Sequence, residues 1–293
     1  MRVLATIGFS FSAGVFLAAL LPWTGWQLYA AGGVLLLALA WLFAARKQKY
    51  FRRGLLILLP LVVSLAYFAG YDHLVRQPIE DRCGAASDFT ATVCDWPQAT
   101  ERGARVTVEL EGYHRARAVL YGEAELLAAR PGDTVTGTAQ WQSAAHFDSD
   151  DVTHFNARGV YALLYGREDV RLSAGDGDAL RWLPQRAGKA FREKVAAIWD
   201  DPRVSGFLTA ELTGDKSAMD DGDYLAMQET GLAHLFAVSG LHCAFLVTLL
   251  ALLISRRQRL LCAVTIPLLL FYMVMVGMSP SVVRACIMQI FLL

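Results

Sequence analysis

The chain has 293 residues, with 27 Lys and Arg against 27 Asp and Glu, 55% hydrophobic and only 18% charged residues, and a mean hydropathy of +0.37. Soluble domains run at about 25% charged and about 45–50% apolar, so this composition excludes intrinsic disorder and points to lipid-buried segments. The zero sum hides a partition: residues 1–71 carry six basic residues and no acid, 72–185 carry 11 and 18, 186–229 carry six and nine, and 230–293 carry four and none. The acid-free blocks are the apolar ones, which describes a polytopic α-helical membrane protein with a water-facing insert.

A helix crossing a hydrocarbon core about 30 Å thick needs roughly 17 to 25 apolar residues. Val3–Leu21, Leu28–Ala45 and Gly54–Tyr71 meet that need without Lys, Arg, Asp or Glu. The first is not read as a signal peptide, because no small-residue cleavage site follows Arg2 and its apolar run. Trp23 and Trp26, between the first two runs, suit a bilayer interface. Arg46, Lys47, Lys49, Arg52 and Arg53 mark the following loop as cytoplasmic, with the N-terminus on the same side and residues 72–231 outside.

From Asp88 the pattern changes to short alternating runs at 89–93, 105–110, 116–121 and 133–138, with a further strand expected at 160–165. Turns fall at Glu101-Arg102-Gly103, Glu111-Gly112 and Arg130-Pro131-Gly132-Asp133. About five short strands in roughly 90 residues fit an extracytoplasmic small β-barrel, the oligonucleotide-binding (OB) type among the candidates, or a plain β-sandwich. Cys83 and Cys94 in this insert are expected to form a disulfide in an oxidising compartment, with two free thiols as the alternative. The remaining cysteines, Cys243, Cys262 and Cys286, lie in apolar runs.

Arg186–Trp199 is expected to be an amphipathic helix, with Ala187, Phe191, Val195 and Ile198 opposed to Arg186, Lys189, Arg192 and Lys194. It either docks on its own protein or lies on a membrane surface. Asp201-Pro202 then opens a helix ending at Gly214, and a short one ends at Gly231. Two more spans, Leu232–Ile254 and Leu260–Met278, flank a second basic loop with Arg256, Arg257 and Arg259, again read as cytoplasmic. A sixth apolar run from Ser281 reaches Leu293, too short to span, and is taken as the beginning of a helix in a longer protein, with a short re-entrant piece as the alternative. The expected organisation is therefore 1–71 as three spans, 72–185 as the β domain, 186–231 as connecting helices and 232–293 as the start of a second membrane domain.

Polar groups run directly into a span at Gly214-Asp215-Lys216 and at His234-Leu235-Phe236-Ala237-Val238-Ser239-Gly240-Leu241-His242, and again at Pro280-Ser281-Val282-Val283-Arg284-Ala285. These runs resemble the signatures of the ComEC family of competence proteins, with Arg130-Pro131-Gly132-Asp133, Phe147-Asp148 and Gly159-Val160 resembling its barrel turn and post-barrel segment. Cys243 and Met278 depart from the pattern, standing where plainer apolar or small residues are expected. The resemblance implies an inner-membrane channel for single-stranded DNA uptake in natural transformation, with other competence proteins as partners, a possible homo-oligomer and no cofactor. The resemblance also implies that full-length relatives continue through further spans and usually end in a metallo-β-lactamase-like domain. The six histidines here (73, 114, 146, 154, 234 and 242) include no H-x-H pair, so no such chemistry is assigned.

Single-stranded DNA carries one phosphate per roughly 3.4 Å, so a crossing strand needs a polar path. Arg284, His234, Ser239, Gly240, His242 and Ser281 are the candidates for that path, and Gly214, Asp215, Lys216 and Pro280 complete the family motifs. Snorkelling competes as the role of Arg284, tight helix packing as that of Ser239 and Gly240, and bonding across helices as that of the two histidines. In the barrel, Arg102, Arg105, Arg115 and Arg117 beside Tyr113 and Tyr121 form a candidate DNA-binding stripe, with a solvated strand face as the alternative. The insert's surplus of acid gives no support for broad electrostatic capture. Two further readings stay open: a membrane-anchored scaffold whose barrel binds partners, and an intramembrane serine hydrolase using Ser239 with His242 or His234.

Overall fold

The computed structural model describes residues 2–20, 51–101, 103–114, 116–144, 158–167, 169–215, 219–231, 240–254 and 258–293, with single positions at 155 and among 32–44. It forms two units, Met1–Asp81 and Arg82–Leu293.

In the first unit, helix α1 (Arg2–Leu20) packs against α2 (Phe51–Tyr71). The contact is close because small residues meet: a Cβ added at Gly14 would overlap the Ser64 hydroxyl and lie 2.9 Å from the Leu61 carbonyl. Ser64 is fully buried and donates to Leu61 O at 2.8 Å, so its hydroxyl is satisfied inside the apolar pair. Half of the expected second span, Leu28–Ala45, lies outside the described residues. The third span does not stop at Tyr71 but continues through a π-helical turn, Asp72–Arg76, and on to Glu80. Side chains one turn apart carry it there: Arg76 lies 3.4 Å from Asp72 and 2.8 Å from Glu80, and His73 Nδ1 lies 2.9 Å from Gln77 Oε1.

The second unit opens with seven strands: β1 (Ala86–Val93), β2 (Gln98–Thr100), β3 (Gly103–Leu110), β4 (Arg117–Gly122), β5 (Thr134–Ser143), β6 (Val160–Gly166) and β7 (Arg171–Ser173). β1 pairs with both β3 and β5, which closes the order β1-β3-β4-β6-β5 into a five-strand barrel, while β2 and β7 extend β3 and β5. Every pairing is antiparallel except β4 with β6. Alternation fills the interior, since Val106, Val108 and Leu110 point in while Arg105 is exposed, and Leu120, Leu164 and Trp141 meet them from other strands. A second small cluster outside the barrel packs Phe155 and Ala144 onto Val119 and Leu163.

Gly132 in the expected turn adopts φ +101°. A Cβ there would sit 2.7 Å from the Trp182 indole nitrogen, and one at Gly175 would overlap the Gly132 carbonyl, so the two glycines let separate loops touch. The buried Asp133 carboxylate fastens them by accepting from Arg130 N at 2.8 Å and Gly175 N at 3.1 Å.

The expected Cys83–Cys94 disulfide is absent, since neither cysteine is bonded to another sulfur. Cys83 precedes β1 and Cys94 follows it, so a strand of eight residues, about 26 Å long, separates them, whereas a disulfide needs Cα atoms within about 7 Å. Burial, and then the neighbouring Glu109 carboxylate, pushes the Cys94 thiol up to about 12. At pH 8 roughly one part in ten thousand is thiolate, which makes Cys94 a poor nucleophile. After alkylation of the denatured protein and digestion, the peptides that hold Cys83 and Cys94 are expected to carry the label equally with and without prior reduction. Raising the pH of the folded protein toward 10 should speed alkylation of Cys94 about tenfold per pH unit; a peptide pair linked through Cys83 and Cys94 and released by reduction would restore the disulfide.

The strands lead into α3 (Leu183–Ile198), α4 (Pro202–Thr213), α5 (Asp221–Glu229), α6 (Gly240–Ile254), α7 (Gln258–Met275) and α8 (Pro280–Leu292). Asp201 caps α4 by accepting from Arg203 N, and Asp220 caps α5 by accepting from Gly222 and Asp223 N. Along α3, Gly188 and Val195 are buried while Phe191, Ile198 and Trp199 remain exposed, so the helix docks along an edge of its expected apolar face. Among the described residues, Gly54–Glu80 and Gln258–Met275 are long and apolar enough to cross a membrane, and Val3–Ala18, Leu241–Ile254 and Pro280–Leu292 are shorter apolar helices.

Candidate functional site

On the barrel, residues paired directly across neighbouring strands share a face. Arg105 on β3 pairs with Tyr121 on β4, and Tyr121 pairs with Tyr165 on β6, which sets the three in one row across the outer surface. The two tyrosine rings stack with centroids 5.2 Å apart and planes 13° apart. Burial, then the adjacent Tyr121, raises the Tyr165 phenol above its ordinary value. Gln98 Oε1 accepts from Arg105 at 2.7 and 3.0 Å and holds the guanidinium.

The expected stripe is only partly assembled. Arg117 is exposed on β4 opposite Glu109, four residues from Tyr121 and so about 13 Å along the strand. Glu109 in turn binds Arg181 at 2.8 Å. Tyr113 leaves the row altogether: it lies in the turn after β3, its ring 5.9 Å from that of Trp141, with the Arg82 guanidinium 5.3 Å above it. The open cavity beside it, about 520 Å³, is lined by Asp88 and Glu111 as well as Arg82, an unpromising lining for phosphate. Arg102 and Arg115 lie outside the described residues. Tyr165 was not among the sequence candidates. Its signal was the alternation of Tyr161, Leu163 and Tyr165, but only the parallel crossover brings β6 beside β4.

One stripe of α3, at i, i+4 and i+7, joins the barrel to the family motif. The Trp96 indole N–H donates to Gln185 O at 3.1 Å, Lys189 Nζ sits 3.8 Å over the Trp96 ring, and Arg192 reaches Asp215 at 3.5 Å. Gly214 ends α4 in the left-handed region at φ +74°. Asp215 N donates to the Thr213 hydroxyl at 3.2 Å, and Lys216 falls outside the described residues. Arg203 Nε binds Asp223 at 3.0 Å and closes the hairpin of α4 and α5 around that turn.

Gly240 opens α6, and His242 in its first turn brings Nε2 to 3.6 Å from Glu211 Oε1 on α4, an ion pair when the imidazole is protonated. The Tyr272 hydroxyl donates to Leu212 O at 3.3 Å and ties α7 to α4 as well. His234 and Ser239 lie outside the described residues. Before α8 the chain turns through Gly277 and Met278, both left-handed at φ +82° and +52°, so Met278 carries strain that a glycine would not. Pro280 begins α8, and Ser281 is half-buried. Val282, Ala285 and Cys286 pack on Cys243 and Leu269, whereas Arg284 is exposed and forms no ion pair among the described residues.

Apolar helices, two of them long enough to cross a membrane among the described residues, are joined here to polar connecting helices. The family model described as Competence protein matches residues 212–293. That match supports a likeness of this segment to the ComEC-type competence family. It is similar to ComE operon protein 3 of Bacillus subtilis (strain 168), with 36% identity over 91 residues, which cover 30% of this chain and 12% of that protein. No solved structure matches.

Proposed function

We propose that this chain forms part of an inner-membrane channel that takes up single-stranded DNA in natural transformation, with residues 1–71 and 232–293 in the bilayer, the N-terminus in the cytoplasm and the barrel outside. The observation that carries this reading is Arg284: it is the one charge in α8, it faces away from the packed side, and it lies inside the competence-family match. An unpaired cation at membrane depth is costly, and a passing phosphate would satisfy its fork of donors bidentately. His242 and Ser281 belong to the same path in this proposal, with His234, Ser239 and Gly240, while Asp215 and Gly214 shape its entrance.

The barrel adds a contact for single strands. Its order of strands, a closed five-strand ring with one parallel pair, supports an OB-like assignment, in which the faces of the second and third strands take oligonucleotides. Here that face holds Arg105 and Tyr121, and Tyr165 on the neighbouring β6 stacks on Tyr121, a cation beside stacked rings on which bases can lie. The partners in this reading are single-stranded DNA, the bilayer, other competence proteins and a second copy of the chain.

A null allele tests the function. Cells lacking the protein should bind labelled donor DNA at the surface at normal levels yet carry none into the cytoplasm, and transformants should be lost. Transformation at the parental frequency would refute the proposal.

A further inference from the structure

Cys243 and Cys286 are separated by forty-three residues in sequence, on α6 and α8, yet their Sγ atoms lie 3.6 Å apart. Both are fully buried in one cluster with Leu269, Val282 and Ala285. The Cys286 thiol is further held by the Leu269 carbonyl at 3.8 Å. Two sulfurs in contact across a helix interface need close by only about 1.5 Å to reach bonding distance, a movement that rotation of the two side chains can share. Cys243 also stands where the family resemblance leads one to expect a plainer residue, so the motif itself does not account for the thiol.

The other cysteines offer no competing partner. Cys83 and Cys94 lie at opposite ends of β1, and the Cys262 thiol is directed at the Leu293 carbonyl at 3.6 Å. From this geometry we infer that Cys243 and Cys286 are a disulfide-forming pair that staples α6 to α8. The oxidant is an external disulfide, carried by a small molecule or a protein. One thiol loses its proton and attacks a sulfur of that disulfide, releasing the first leaving thiol. The second cysteine then attacks the mixed disulfide and releases the other. Two electrons and two protons thereby pass from the pair to the acceptor, which departs as two thiols. The inference rests on packing alone and stands apart from DNA uptake. Its consequence is mechanical, because the stapled helix carries Arg284 two residues before the bond.

The test treats the whole protein with 4,4′-dithiodipyridine, a membrane-permeant disulfide, both in membranes and in detergent, over hours because burial slows attack. Trypsin then cuts at Arg256, Arg257 and Arg259, between the two cysteines. The expected product is a pair of peptides linked through Cys243 and Cys286, at least tenfold above the untreated control. It should be lost on reduction and absent from Cys243→Ser and Cys286→Ser. Recovery of the two cysteines as free thiols or separate pyridyl adducts in both preparations, or linkage of either to Cys262, would overturn it.

Discussion

Replacing Arg284 with alanine is expected to lower transformation between about tenfold and about 150-fold, the range set by a charge-assisted contact of about 1.5–3 kcal/mol at about 1.4 kcal/mol per decade. The protein should still accumulate in the membrane at the parental level, because Arg284 is exposed and takes no part in the cluster of Cys243, Leu269, Val282 and Cys286. Lysine at the same position should fall between the two, since it keeps the charge but loses the planar fork that matches a phosphate. Quantitative transformation beside an immunoblot of membranes separates the effects. Parental transformation by the alanine variant would remove Arg284 from the path, and loss of the protein itself would reveal a packing role instead.

Trp141→Ala should be the most damaging single change in the barrel. Trp141 is 1% exposed on β5, and its indole donates to Ser87 O at 3.3 Å across the seam where β1 meets β5. Truncating a buried tryptophan costs about 3–5 kcal/mol, a large share of the roughly 5–15 kcal/mol that stabilises an ordinary domain. Denaturation of the detergent-purified chain, followed by limited proteolysis within residues 86–173, should show the barrel opening at markedly lower denaturant. Trp141→Phe keeps most of the buried volume and should recover much of the loss. Equal stability of the alanine variant would show that the seam does not depend on this side chain.

The strands were legible because a half-buried sheet writes its alternation into the sequence: Val106, Val108 and Leu110 interleaved with Arg105, Thr107 and Glu109 give the period directly. The caps were legible as well. Asp201 before Pro202 and the left-handed Gly214 bound α4 where local chemistry demands it. What local pattern cannot carry is which strand lies beside which. The parallel pairing of β4 with β6 puts Tyr165 next to Tyr121, and the turn after β3 takes Tyr113 out of the stripe in which its nearness to Arg115 and Arg117 had set it. The disulfide expectation failed for a related reason, since closeness along the chain is not closeness in space when a strand runs between the two residues. The apolar stretch expected as the third span ends at Tyr71, whereas the helix itself persists on the ion pairs of Asp72, Arg76 and Glu80, which apolarity does not mark.

Closing the barrel by pairing β1 with β5 has a kinetic side. Phe89 meets Gly137 across that seam, so the first strand waits for a partner that lies almost fifty residues downstream, and β4 waits similarly for β6. Long-range pairings of this kind are slow, with all-β domains folding in about milliseconds to seconds. During that interval β1 offers a bare row of amides and carbonyls to any passing strand, a hazard that vanishes once the ring is complete.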